Sequence, residues 1–411
     1  IYTVMKMKYL VSSAILTGML LASCSDSYEG APRKTTDTGE EAGQVTAVAV
    51  EKTNNMQVYA HYMPWFETPS TSKDGTWGYH WKMKFMHPDQ VDDSGKREIA
   101  SHYYPLTGPY ASGDEAILDY QCLLMKYSGI DGVMVDWYGV NSDNDIANHK
   151  TNTEKLFKAI KRAGLKMAVV YEDNTLSGDY VTAARTDLSY LATTFFRDDA
   201  YTKVDGKPLL LDFGPQKMQS GKDWYRAFSI LGTHPVFLTL NYSIDKANNG
   251  GYNDNAQGEF EWVDPNPNYE RAKDFKYYVG GAMPGFKDFY KKGEDNEEGY
   301  KYTFYDSKDG ALFQRQLDAV KKAGLSMLQI STWNDYGEGT IIEPTQEFGY
   351  KYLTMLQQFT GVKYQQSDLE LIYNWYKARV AHPDNPKVKE AYNDLVQLKT
   401  SEAKAIIDAF K

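Results

Sequence analysis

Eight short apolar segments alternate with amphipathic ones along this chain, and that alternation limits its fold more than any other feature. The apolar segments occupy residues 58–62, 132–137, 167–171, 208–213, 235–240, 259–263, 277–281 and 326–331. Near-continuous apolar runs of this length are typical of parallel strands that are buried on both faces. Helical patterns lie between most of them, at residues 114–128, 151–163, 180–196, 222–231 and 310–323. Eight uninterrupted βα alternations predict an α/β fold, the (β/α)8 TIM barrel, rather than an open sheet.

Composition divides the 411-residue chain into three parts. A short basic and then apolar segment ends in Leu-Ala-Ser-Cys at Cys24, a pattern that resembles the lipobox of bacterial lipoproteins. The resemblance implies that residues 1–24 are a signal peptide and that Cys24 is the lipid-attachment residue. Residues 25–55 contain few large apolar side chains and are predicted to be a flexible tether. Residues 56–411 are then one catalytic barrel domain, whose last segment, residues 369–410, adds two or three helices outside the barrel.

The lipobox also sets an expectation for location. A lipid at Cys24 implies an outer-membrane lipoprotein that faces the periplasm or the cell surface. The mildly acidic sequence Ser-Asp-Ser-Tyr-Glu that follows Cys24 resembles outer-surface export signals in Bacteroidetes. The lipid would be the only link between the protein and the membrane, and the barrel is expected to be a monomer.

Charge and cysteine content exclude several classes of partner. The net charge of −10 argues against nucleic acid or an anionic membrane surface as a ligand. Besides Cys24 there is only Cys122, in an apolar helical pattern, so we predict no internal disulfide and a buried Cys122. There is no His-Glu-x-x-His motif and no Gly-x-Gly-x-x-Gly after the first strand, so neither a metal nor another cofactor is expected.

The predicted strands end in polar and aromatic residues, and in barrels of this kind the active site forms at those ends. Carboxylates and amides bind sugar hydroxyls, and aromatic rings stack on the sugar ring, so these residue types suit a carbohydrate site. A single Asp at a strand end is more often structural, and a large core alone explains many aromatics. The candidate substrate-binding residues are Tyr62, Trp65, Asp136, Trp137, Tyr138, Glu172, Asp212, Asn241, Trp333, Asn334 and Tyr336.

The eighth strand ends with two carboxylates, Asp335 and Glu338, three positions apart. In a continuing strand that offset would place them on opposite faces, but Gly337 and Gly339 allow the chain to leave extended geometry. Glycoside hydrolysis commonly needs one carboxylic acid to protonate the leaving oxygen and a second carboxylate as base or nucleophile. The alternative is a capped turn whose acids bind backbone amides, and spacing alone leaves both possibilities open.

Residues 333–340, Trp-Asn-Asp-Tyr-Gly-Glu-Gly-Thr, with Ile-Glu-Pro at 342–344, resemble the barrel end of glycoside hydrolase families 71 and 99. Family 99 covers endo-α-mannosidases and endo-α-1,2-mannanases, and family 71 covers α-1,3-glucanases. Further segments resemble family 99, and the likeness extends from about Val58 to Pro344. These segments are residues 61–66, 74–75, 79–81, 104–105, 108–110, 129–132 and 136–138.

The resemblance implies a hydrolase of α-mannan- or α-glucan-type chains, endo-acting, with Glu338 as general acid/base and Asp335 as the second catalytic carboxylate. It also implies that Tyr62, His80 and Trp81 line the cleft, as Trp137 would. The family 99 residue at position 335 is Glu, thought to deprotonate the sugar's own 2-hydroxyl with retention of configuration. Asp is the family 71 residue, and it favours inversion with Asp335 as general base.

Two other functions compete with hydrolysis. A glycosyltransferase-like enzyme is conceivable because some polysaccharide-synthesis proteins carry a similar Trp-Asn-Glu-x-x-Glu-Gly segment. The secretion signal disfavours it, since nucleotide-sugar donors are not expected outside the cytoplasm. A non-catalytic surface glycan-binding lipoprotein is the second alternative. It predicts the loss of one catalytic carboxylate, yet Asp335 and Glu338 are both acids.

Overall fold

Eight parallel strands close into a barrel in the computed structural model, which describes residues 45–141, 146–290 and 304–410. Each strand pairs in parallel with the next, and the eighth pairs with the first, with Gln57 opposite Met327. The predicted (β/α)8 TIM barrel is therefore confirmed. The strands are β1 Gln57–Tyr62, β2 Gly132–Trp137, β3 Lys166–Tyr171, β4 Lys207–Asp212, β5 Val236–Leu240, β6 Gly258–Phe260, β7 Tyr277–Ala282 and β8 Met327–Ile330.

Helices surround the barrel and follow most strands. They are α1 Tyr79–Lys82, α2 Glu115–Tyr127, α3 His149–Ala163, α4 Tyr180–Thr194, α5 Gly221–Phe228, α6 Ile244–Asn248, α7 Ala311–Lys322, α8 Lys351–Thr360, α9 Gln366–Ala381, α10 Pro386–Val396 and α11 Thr400–Ile407. Their ends follow local rules: Asp114 caps α2 by accepting two backbone N–H groups, and Gly164, at φ 72°, ends α3. In the described ranges no helix is long and apolar enough to cross a membrane.

Four short 3₁₀ helices and two short antiparallel pairings complete the described elements. The 3₁₀ helices are Asp173–Thr175, Tyr269–Asp274, Lys308–Gly310 and Asp408–Phe410. The pairings join Lys203–Val204 to β4, and Phe286–Lys287 to Phe304–Tyr305.

Alternating strand residues divide the core into two layers. In β4, Leu209 and Leu211 belong to the cluster inside the barrel, whereas Leu210 packs in the layer between the strands and the helices. The same period of two holds in the other strands, because successive side chains point to opposite faces. It decides which strand-end residues reach the mouth of the barrel: His61 continues the inner set of Tyr59, whereas Tyr62 belongs to the outer layer.

The C-terminal segment packs outside the barrel as predicted, with α9, α10 and α11 as its three helices. The Tyr127 hydroxyl of α2 donates to the Leu395 carbonyl at 2.9 Å, and the Trp375 indole N–H donates to Val388 at 3.0 Å. Cys122 is a free, fully buried thiol in the same layer, which confirms its predicted packing role.

Residues 45–55, the last part of the predicted tether, lie against the barrel. The Lys52 ammonium pairs with Asp131 at 2.5 Å, and the Val48 backbone N–H donates to the Val396 carbonyl at 3.3 Å. Val45, Ala47 and Val50 also pack against the core, so polar and apolar contacts together offset the entropic cost of ordering the segment. The predicted signal peptide with Cys24, and the remainder of the predicted tether, lie outside the described residues.

Candidate active site

Carboxylates from three strands converge at the C-terminal mouth of the barrel. Asp136 continues the inward-facing set of β2, Glu172 follows β3, and Asp335 follows β8. Each of the three is buried, and Asp335 and Asp136 retain only 2% exposure. Glu338, in the same loop as Asp335, is half-buried. The structure therefore brings together four of the carboxylates that the sequence singled out.

A closed loop after β8 sets the positions of Asp335 and Glu338. Thr332 accepts the Asp335 backbone N–H on its hydroxyl at 2.7 Å, and its own N–H donates to the Thr340 carbonyl at 2.6 Å. The Asp335 carbonyl accepts the N–H of Gly339 at 2.9 Å, which turns the chain back on itself. Gly339 has φ +66°, a conformation that a residue with a Cβ rarely adopts. Both carboxylates thus leave one tight turn.

The two acids of this turn differ in their hydrogen-bond partners. One oxygen of Asp335 accepts the Glu338 backbone N–H at 2.9 Å, so this oxygen binds a backbone amide, as the capped-turn alternative predicts. Burial raises the pKa of Asp335 to about 6, and the backbone N–H groups of Glu338 and Gly337 limit the rise. Glu338 has no such support, and its Oε2 has no hydrogen-bond partner within the part of the chain that the structure describes.

The pKa of Glu338 lies well above its ordinary value, first because of burial and then because of the negative charges of Asp335, Asp288 and Asp136. Asp335 therefore ionises before Glu338. Two carboxyls whose environments separate their pKa values in this way can act as a base and an acid at the same pH. The turn consequently carries one carboxyl that ionises first and one that keeps its proton to higher pH.

Asp136 and His61 form the floor of the mouth. The His61 Nε2 lies 3.9 Å from the Asp136 Oδ1, and its Nδ1 lies 3.4 Å from the Gln329 Oε1. Burial lowers the pKa of His61 to about 3, so the ring is neutral at physiological pH and does not compensate a carboxylate charge. Burial raises the pKa of Asp136 to about 7, opposed by a hydrogen bond with Tyr138 and increased by the Asp335 charge. Near neutral pH, Asp136 is therefore present both as a protonated donor and as a carboxylate that can accept from a ligand hydroxyl.

An aromatic wall stands beside these carboxylates. The rings of Trp65 and His80 stack at a centroid distance of 3.9 Å with an interplanar angle of 2°, and Tyr138 lies 6.3 Å from Trp65. His80 and Tyr138 are half-buried, so each residue is partly exposed. Such a surface offers apolar faces with polar edges, which is suited to a sugar ring. The predicted residues Trp65, His80 and Tyr138 are thus placed together.

A second network supports the loop from below. Glu343 is buried and accepts hydrogen bonds from the Tyr110 and Tyr336 hydroxyls, each at 2.8 Å, and from the Gln121 amide at 2.6 Å. Asn334 bonds both backbone groups of Met63, at 2.8 and 3.0 Å, and so ties the loop to the end of β1. These residues hold the loop in place and do not reach the cavity.

Several predicted substrate-binding residues are therefore corrected to supporting positions. Tyr62, Trp137 and Asp212 end their strands on the outer face, because residues at even spacing from them pack in the helix layer. Trp333, Asn334 and Tyr336 are fully buried in the loop, and Trp81 is fully buried, where its indole N–H donates to the Tyr110 carbonyl at 2.6 Å. Asn241 is half-buried and donates to the Glu261 carboxylate at 2.7 Å, at the edge of the mouth.

Other residues at the mouth were missed by sequence reasoning. His61 and Trp262 lie edge-to-face at 4.6 Å inside the mouth, and Glu343 holds the loop. Tyr290 lies close to both acids, since burial and then the charges of Asp335 and Glu338 raise its pKa. Identifying His61 required the register of β1, because both faces of that strand are buried, and no sequence pattern indicates Tyr290, which lies in a connecting segment. Within the described ranges no group of three or more His, Cys, Asp or Glu is arranged to hold a metal ion.

Comparison with known proteins agrees with this geometry. Residues 53–242 match the model of Glycosyl hydrolase family 99. The glycoprotein endo-alpha-1,2-mannosidase-like protein of Danio rerio is 21% identical over 353 residues, 77% of this chain and 77% of its own length. The corresponding protein of Mus musculus is 22% identical over 323 residues, 70% and 69% of the two chains.

Solved structures show the same fold. A family 99 endo-alpha-mannosidase from Bacteroides thetaiotaomicron superposes with a TM-score of 0.57 at 19% identity, over 76% of this chain and 99% of that one. The family match ends at residue 242, before the loop that carries Asp335 and Glu338, so the roles of these two acids rest on their geometry. The chain is a glycoside hydrolase that is similar to family 99 in sequence over its first five strands and in fold over 76% of its length.

Proposed function

We propose that this enzyme cleaves an α-linked glycan of the mannan or glucan type within the chain, with Glu338 as general acid and Asp335 as general base. One observation carries the assignment. Asp335 is held by backbone N–H groups and Glu338 is not, so their pKa values are separated in the order that the two roles require. Glu338 would donate its proton to the departing glycosidic oxygen as Asp335 takes one from the attacking water.

Mannose in the substrate is supported by the relatives. The Danio rerio and Mus musculus proteins are described as endo-alpha-1,2-mannosidase-like, and a Bacteroides thetaiotaomicron protein of similar fold as an endo-alpha-mannosidase. The mouth itself suits sugar hydroxyls, because its buried carboxyls, such as Asp136 and Glu172, can hydrogen-bond them. The Asp at position 335, the family 71 residue, keeps α-glucan as the second candidate substrate.

The test is a screen of residues 45–411 against α-mannans, α-glucans and N-glycans, followed by proton NMR of the first-formed anomer. We expect oligosaccharide products from an α-mannan or α-glucan, and inversion of the anomeric configuration with Asp335 as the base that activates water. Monosaccharide release alone would contradict the endo mode. Retention would instead indicate that Asp335 deprotonates the 2-hydroxyl of the sugar. A complete lack of hydrolysis of α-glycans would refute the proposal.

We further propose that a lipid on Cys24 anchors the enzyme to the outer membrane. The proposal rests on the Leu-Ala-Ser-Cys sequence after an apolar run. Replacing Cys24 with serine is expected to move the protein from the membrane fraction to the soluble fraction with its melting temperature unchanged, because the barrel core begins at β1. Cys122→Ser, a change at a buried thiol, is the matched control and should remain membrane-bound. Fractionation of Cys24→Ser with membranes would refute the anchor.

A further inference from the structure

A groove lies beside the loop that carries Glu338, with Gly339 and Ile341 of that loop in its lining. Its volume is about 120 Å³. We call it the rim groove, and its principal lining residues are Tyr103, Lys287, Phe304, Ser307, Gly339 and Phe348. The mechanism above uses none of these side chains.

The rim groove and the active site share one wall. Gly339 follows Glu338 directly, so their Cα atoms are about 3.8 Å apart. A Cβ on Gly339 would lie 2.7 Å from the Lys287 carbonyl oxygen and 3.1 Å from the Tyr103 ring. Glycine is thus required where the loop passes between the groove and the acid. The Lys287 backbone N–H donates to the Glu338 carbonyl at 2.9 Å, which joins the second wall to the same loop.

Aromatic side chains line the groove. The rings of Tyr103 and Phe348 lie 4.7 Å apart, and Phe304 is 57% exposed. Phe304 pairs with Lys287 across an antiparallel ladder, and Lys287 in turn bonds Glu338. Neighbouring hydrogen-bonded chains lie about 4.8 Å apart, and Phe304 is two such steps from Glu338. Phe304 is therefore about 10 Å from the Glu338 backbone. That separation is comparable to the length of a short oligosaccharide.

Polar groups in the groove suit the hydroxyls of a sugar. The pKa of Tyr103 is raised by burial and then by the negative charges of Glu347 and Asp306. Sugar hydroxyls can donate to such carboxylates. The cation Lys287 and the Ser307 hydroxyl add donors at the same edge. Exposed aromatic faces combined with acceptor-rich edges match a neutral pyranose ring.

We propose that the rim groove is an accessory subsite that binds a further sugar residue of the glycan whose bond is cleaved beside Glu338. The inference rests on the proposed function and adds to it a preference for long chains. An exposed Phe304 face, about 10 Å from the Glu338 backbone, would stack on a distal sugar of the same chain.

The test compares a disaccharide and a hexasaccharide of α-linked mannose as substrates for the wild type, Phe304→Ala and Tyr225→Ala. Tyr225, 58% exposed on α5, is the matched control. Loss of one stacking face should lower the hexasaccharide-to-disaccharide ratio of kcat/KM by about fivefold to tenfold in Phe304→Ala and leave it unchanged in Tyr225→Ala. Phe304 contributes little to the core, so the melting temperature should not change.

An unchanged ratio in Phe304→Ala would overturn the subsite while leaving the proposed function intact. Absence of hydrolysis by the wild type would count against the proposed function on mannose instead. In that case the subsite is tested by calorimetry, which measures the affinity of the hexasaccharide for Glu338→Gln and for Glu338→Gln/Phe304→Ala. Equal affinities of these two proteins for the hexasaccharide would overturn the subsite, and weaker binding by the double variant would support it.

Discussion

Glu338→Gln is expected to lower kcat by ~10²–10⁴, the usual contribution of a general acid. Glutamine keeps the shape of the side chain and can still hydrogen-bond, but it has no proton to give to the leaving oxygen. Glycan affinity should stay within about an order of magnitude, since the change removes an interaction made in the transition state. Initial rates on a natural glycan and calorimetry of the same glycan measure the two effects.

A second substrate distinguishes an acid from a residue that merely shapes the site. An aryl glycoside whose leaving phenol is acidic departs without protonation, so Glu338→Gln should cleave it far better than it cleaves the glycan. Glu270→Gln makes the same change on an exposed surface carboxylate and should leave kcat unchanged. Equal losses of Glu338→Gln on both substrates, or no loss on the glycan, would remove Glu338 from the acid role.

The fold was predictable because each strand is a continuous apolar run bounded by a helical pattern. All eight predicted runs overlap observed strands, including the three-residue β6 at Gly258–Phe260. The same property hid which side chains face the mouth. A strand buried on both faces carries no alternation to mark its inner side. Tyr62 and Trp137 were therefore predicted at the cleft, whereas the register places them in the helix layer and His61 inside.

Connecting segments limited the site prediction in a different way. Asp335 and Glu338 were identifiable because they follow a strand directly and lie in one short turn. Tyr290 and the rim groove depend on how the segment after β7 folds back along that turn, through the Lys287 and Phe289 N–H groups bonded at 2.9 and 2.7 Å. These are backbone contacts between residues far apart in the chain, and no side-chain pattern encodes them. Functional residues often lie in loops, but tertiary contacts set the paths of loops, so their positions could not be predicted from the sequence.

The activity should depend on pH as a bell whose acidic side belongs to Asp335. As a base, Asp335 must be ionised, so kcat/KM is expected to fall tenfold per pH unit below its pKa of about 6. Glu338 must be protonated, and its pKa lies well above its ordinary value, so activity is lost as pH rises through it. Measurement of kcat/KM from acid to alkaline pH reports both limbs. A plateau that continued well below pH 6 would contradict the role of Asp335.

Asp335→Asn tests which group produces the acidic limb. The amide cannot accept a proton, so kcat is expected to fall by ~10²–10⁴ and the residual activity to lose its dependence on the group of pKa about 6. Asp335→Glu restores a base on a longer side chain and should recover the acidic limb at a reduced rate, since the carboxylate moves by about 1.5 Å, one bond length, from its hydrogen bond with the Glu338 N–H.

Asp136→Asn is the neighbouring control: it removes a negative charge that raises the pKa of Glu338, so it should shift the alkaline limb to lower pH and leave the acidic limb in place. If Asp136→Asn abolished the acidic limb and Asp335→Asn preserved it, Asp136 would be the base, and the second carboxylate of the reaction would come from β2 and not from the loop after β8.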